Sequence, residues 1–171
     1  MTATPDQDAV QRLLGKASQL LAIAKVFAIG TYTTILERFP TLSSLLTDQW
    51  DFILTTAGIF VAASQLNHES ITEHAREQIL SAITETANKE NSDYAKACED
   101  CRKFVDRTYD GLTKLLDYKH QPAYLFSDSL GGWITWNLYG HSPEGEEERH
   151  LARTLGALTV HAFINYWKED L

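Results

Sequence analysis

Residues 52–63 read Phe-Ile-Leu-Thr-Thr-Ala-Gly-Ile-Phe-Val-Ala-Ala, a stretch that is apolar nearly all round. A helix with no polar face is buried on every side, so this one belongs at the centre of a bundle. Ser43 or Ser44 can cap it, and it runs to about Gln65. The expected fold is therefore all-α: an antiparallel bundle of five to six helices forming a single domain over residues 1–171, with the first, fourth and sixth helices packed on the second.

On the N-terminal side, Thr4-Pro5-Asp6-Gln7 combines an N-cap, a proline at the first helical position and a capping-box glutamine. Val10, Leu13, Leu14, Ala17, Leu20, Leu21, Ala24, Phe27, Ala28, Thr31 and Ile35 then follow the i, i+3, i+4 rule, which predicts one helix to Arg38, ended by Phe39-Pro40. On the C-terminal side, Ser70-Ile71-Thr72-Glu73 is a second capping box. It opens a third helix whose narrow stripe of Ile71, Ala75, Ile79, Ala82, Ile83 and Thr86 places it on the outside. Polar residues Asn88 to Asp93 break the chain before a fourth helix from Ser92 to about Tyr118. Pro122 starts a fifth, which carries Gly131-Gly132 and reaches Tyr139; Ser142-Pro143-Glu144 starts a sixth that runs almost to Leu171. No alternation of period two persists beyond four residues, so strands are not expected.

The bulk properties agree with an ordinary globular core: 171 residues, 44 % hydrophobic and 22 % charged. A net charge of −8 argues against a phosphate-backbone partner, so no nucleic acid is expected. Two cysteines make no disulfide framework, and Met1-Thr2-Ala3-Thr4-Pro5-Asp6 is no basic leader, which makes the cytoplasm the expected location. The apolar stretches Leu20 to Leu36 and Phe52 to Leu66 fall short of the ~20 residues of a spanning helix, so a membrane partner is not expected.

Four patterns could carry chemistry. Cys98-Glu99-Asp100-Cys101 has the spacing of a redox pair, but Val105 stands where a proton-relaying histidine would follow. Both thiols also fall on the apolar stripe of Tyr94, Ala97, Phe104, Val105, Thr108 and Leu112, where packing is the expected role. Glu147-x-x-His150 and His74-x-x-Glu77 have the spacing of helical metal ligands, yet a di-metal bundle site needs two Glu-x-x-His motifs and two more glutamates. Each pair lies on its helix's polar stripe, so Glu147 and His150 remain weak metal candidates, and neither a metal nor another cofactor is expected. The acidic run Glu144 to Glu148 suits a helix start, where the macrodipole favours carboxylates.

The fourth pattern gathers Tyr124, Phe126, Trp133, Trp136 and Tyr139 around Gly131 and Gly132. Paired glycines cost a helix interior about 1 kcal/mol each, so they mark a close backbone approach, a kink or a ligand wall. These seven residues are the candidates for a ligand site or an interface. No phosphate loop, nucleophile elbow or dinucleotide fingerprint is present as a local motif. The expected function is a non-enzymatic interaction or assembly protein that self-associates; the alternatives are a module for a small apolar ligand and a His/carboxylate metal-dependent enzyme.

Overall fold

Pro5 opens α1, which runs unbroken to Arg38. In the computed structural model, which describes residues 5–45, 47–113 and 122–168, five more helices follow: α2 (Thr47–Gln65), α3 (Glu73–Glu90), α4 (Asp93–Thr113), α5 (Pro122–Tyr139) and α6 (Gly145–Phe163). The protein is an all-α bundle of six helices, and the described residues contain no strand.

Several helix starts lie a few residues from where the sequence places them. Pro40–Ser44 forms a 3₁₀ turn held by Leu42 N–H to Phe39 O at 3.0 Å and Leu45 N–H to Leu42 O at 2.9 Å, which delays α2 to Thr47. The turn exists because it drives Leu42 to full burial. Thr72 rather than Ser70 caps α3, its hydroxyl accepting from Ala75 N–H at 3.2 Å. Asn91 starts α4 by accepting from Asp93 N–H at 2.9 Å. The helix is described to Thr113, and its expected continuation to Tyr118 lies outside the described residues. Glu144 is the N-cap of α6, and Glu148 reaches back to its N–H at 2.7 Å, so the acidic run does the work of a helix start.

The C-terminal end also departs from expectation. After Phe163 the chain turns instead of continuing as helix, with Tyr166 N–H on Phe163 O at 3.1 Å and Lys168 N–H on Asn165 O at 2.9 Å. This turn swings Tyr166 and Trp167 inward together. Trp167 Nε1–H donates to Ala62 O at 2.6 Å, and Tyr166 hydroxyl donates to Lys16 O at 2.7 Å while the buried Lys16 ammonium donates to Tyr166 O at 3.0 Å.

Successive helices run in opposite directions, and α2 is central. Every residue from Ile53 to Ala62 is buried. Trp50 Nε1–H bonds Ala28 O of α1 at 2.7 Å, Phe52 stacks on Tyr94 of α4 at 4.8 Å, and Phe60 stacks on Phe126 of α5 at 5.9 Å. From α6, the Phe163 ring fills the notch left by Gly58, where a methyl group would sit 2.7 Å from the ring. The third helix packs on α1 and α4 instead, outside the centre. Its buried stripe is Ala75, Ile79, Ile83 and Ala87.

Candidate functional site

The cysteines sit where packing needs them. Cys101 is fully buried and Cys98 partly buried, with its Sγ 3.9 Å from Thr56 O of α2. Burial pushes the Cys98 thiol up to about 12, and burial followed by its neighbour's charge raises Cys101 well above the ordinary thiol range. A reactive cysteine needs the opposite, a thiolate stabilised near neutrality.

Glu147, His150, His74 and Glu77 do not converge on one another across helices; elsewhere His141 Nδ1 lies 3.7 Å from Glu148 Oε2 at the surface. Glu147 and His150 are both exposed on α6, where His150 Nε2 lies 3.4 Å from Arg38 Nη2 and its ring 5.4 Å from that of Phe39. His74 and Glu77 are exposed on α3. Among the described residues no group of three or more His, Cys, Asp or Glu is arranged to hold a metal ion. A polar junction does form where Lys25 pairs with Glu90, near Asp51 and Tyr94. Burial first, and then the charge of Asp48, raises the Asp51 carboxyl.

The aromatic segment divides among several neighbours instead of enclosing one space. Trp133 is buried, Trp136 is 44 % exposed beside Phe104, and Tyr124 is 63 % exposed. Tyr139 hydroxyl lies 3.3 Å from Thr41 Oγ1, and Phe126 meets Phe60. The two glycines part company as well. A methyl group on Gly131 would sit 1.9 Å from Ala152 O of α6, whereas one on Gly132 would meet only the Phe104 ring at 3.5 Å. Gly156 answers Gly131 from the facing helix: a methyl group there would sit 2.0 Å from Ser127 O. Small residues four apart on each helix, Ser127 and Gly131 on α5 and Ala152 and Gly156 on α6, let the two backbones touch. The α6 half of this contact was missed in the sequence, although the four-residue spacing of Ala152 and Gly156 was the signal.

Two surface features remain. The first is a cleft of about 560 Å³ between α2, α3, α4 and α5. Ile59, Phe60, Ala63, Ile83, Cys98 and Phe126 give it apolar walls, and at its rim Arg102 is held by Glu99 at 2.6 Å and Asp106 at 2.9 Å. No tryptophan lines it. The second is the outer face of α1. Between Arg12 and Glu37 the exposed residues on this helix are uncharged, namely Gly15, Ser18, Gln19, Ala22, Val26, Ile29, Gly30, Thr33 and Thr34, and the half-buried Lys25, paired with Glu90, borders them beside Ser18 and Ala22. Val26 is 71 % exposed and Ile29 59 %. By length and composition the helix is apolar enough to cross a membrane, and only 28 % of its most apolar window is buried inside the fold. Core helices of comparable hydropathy bury most of theirs. The inner stripe of α1 is legible in the sequence from its periodicity, whereas the signal of the outer face is the absence of charge.

No known protein family matches the chain, and no curated protein or solved structure is significantly similar to it.

Proposed function

We propose that this chain is a non-enzymatic interaction or assembly protein of the cytoplasm that associates with itself through the outer face of α1. The observation that carries this reading is the exposure of Val26 and Ile29 in the middle of a helix face without charge. Scattered apolar residues are normal on protein surfaces, but a contiguous uncharged helix face on a chain of net charge −8 is the kind of patch that marks an interaction site. This reading puts self-association on α1; in the aromatic segment Phe126, Trp133 and Tyr139 are engaged within the bundle while Tyr124 and Trp136 are exposed. Light scattering across a concentration series tests it: the mass should rise from one copy towards two, and a constant single-copy mass would overturn it.

The cleft favours a second reading, a module for a small apolar ligand. Its volume is within the ~300–1,000 Å³ of ligand pockets, and its walls are apolar. Uptake of a neutral naphthylamine dye, lost in Ala63→Trp where the larger ring fills the cleft, would support this reading; uptake unaffected by that substitution would contradict it. The His/carboxylate enzyme has no comparable support, since its candidate residues lie apart on exposed faces.

A further inference from the structure

We infer that the partner of the α1 face is the same face of a second copy, packed antiparallel about a two-fold axis at Val26. This rests on the self-association reading and adds its geometry. At 3.6 residues per turn, Arg12, Gly15, Gln19, Ala22, Val26, Ile29, Gly30, Thr33 and Glu37 all lie within about 60° of the direction of Val26. They form one seam.

The seam is complementary to itself. An antiparallel pair centred on Val26 sets Val26 on Val26, Ala22 against Gly30 and Gln19 against Thr33, with Gly15 at the level of Glu37. Small residues meet at the centre, polar ones flank them, and Gly15 leaves room beside the Glu37 side chain. A two-fold interface requires a self-complementary patch, because where residue i of one copy contacts residue j of the other, j of the first contacts i of the second.

Charge completes the match at the two ends. Arg12 and Glu37, the first exposed charges on either side of the seam, have opposite signs. In the antiparallel pair, Arg12 of one copy lies about three residues, or about 4.5 Å along the axis, from Glu37 of the other. At a shallow crossing near 20° both side chains reach, giving two symmetric ion pairs. Among the described residues neither Arg12 nor Glu37 has an ion-pair partner in its own chain. A parallel pair would instead set Arg12 beside Arg12 and Glu37 beside Glu37.

A lipid surface fits this face less well. Interfacial helices present bulky apolar residues flanked by Lys and Arg, whereas this face is largely small residues on an acidic chain. The inner side of α1 is also committed, with its Ala28 O bonded to Trp50 and its Lys16 to Tyr166. The seam is about 39 Å long and about 10 Å wide, a footprint of roughly 400 Å² per copy against the ~800 Å² of a standard stable interface. The dimer is therefore concentration-dependent and not obligate.

Disulfide cross-linking of the full chain under copper–phenanthroline tests the register. V26C should cross-link with itself. A22C and G30C should each fail alone and cross-link when mixed, since residue 22 faces residue 30 only across the axis. The native thiols, one buried and one partly buried and both poorly ionised, should leave the unsubstituted chain uncross-linked as the control. R12E should raise the dissociation constant roughly tenfold, and E37R in the same chain should restore it. Cross-linking of all three single variants would indicate a parallel pair and overturn the inference while leaving self-association intact. So would a dimer by light scattering in which no variant cross-links. A chain that stays monomeric and floats with phosphatidylcholine vesicles would overturn both readings.

Discussion

Gly131→Ala adds one methyl group to the contact between α5 and α6, and the structure gives its consequence. The new carbon would begin 1.9 Å from Ala152 O, where ordinary contact starts at 3.4 Å, so the helices must part locally by about 1.5 Å. The obstacle is backbone and cannot rotate away. Overpacking of this kind costs about 1–3 kcal/mol, and a rigid neighbour puts it at the upper end. Alanine returns about 1 kcal/mol through helix propensity, leaving a net loss of about 2 kcal/mol. For a chain of this size that is a fall in Tm of roughly 4–8 °C. Gly156→Ala should behave alike, because its methyl group would meet Ser127 O at 2.0 Å. The double substitution should cost less than the sum, since helices already parted by one methyl group accommodate the second. Gly132→Ala is the internal control: with only the Phe104 ring at 3.5 Å, it should be neutral or raise stability by up to about 1 kcal/mol. Urea denaturation followed by far-UV circular dichroism reads all four. Equal effects at the two adjacent glycines, or a stabilised Gly131→Ala, would refute the interlock.

Three further outcomes follow from the packing. Burial raises the Cys98 thiol from 9.0 and the Tyr166 phenol from 10.0, each to about 12. The unfolded chain therefore loses these protons first, so stability is fully present below pH 9 and falls as pH climbs towards 12; denaturation midpoints flat across that window would contradict this. An aqueous quencher should reach Trp136, at 44 % exposure, while Trp50, Trp133 and Trp167 are at most 4 % exposed, so Trp136→Phe should abolish the quenchable emission. Trp167→Phe loses the bond to Ala62 O and part of a fully buried ring, and should destabilise by about 2–3 kcal/mol in thermal melts; a wild-type melt would mean that the C-terminal turn does not dock as described.

What was legible in the sequence followed from local rules. The unbroken apolar stripe and Pro5 defined α1, Pro122 and Tyr139 bounded α5, and the all-round apolar run marked α2 as central. Starts that depend on a tertiary contact moved by a few residues. Burial of Leu42 made the turn before α2, and docking of Tyr166 and Trp167 ended α6 early. The candidate sites were less legible for the same reason. The sequence flags Gly131 and Gly132 equally; only α6, arriving with Gly156, separates them. The cleft draws on four helices, so no local spacing could announce it. The outer face of α1 carries no apolar periodicity of its own, so its missing charge is the one local sign of it.

If α1 faces a second copy of itself, carboxylates placed on its outer face must keep the copies apart. Sedimentation equilibrium of the wild-type chain beside a V26E/I29E variant tests it most directly, since both substituted positions are exposed and the fold should survive. Wild-type mass should rise with concentration while variant mass stays fixed at one copy, with identical circular dichroism. A wild type that stays monomeric throughout, or a folded variant that still dimerises, would contradict it.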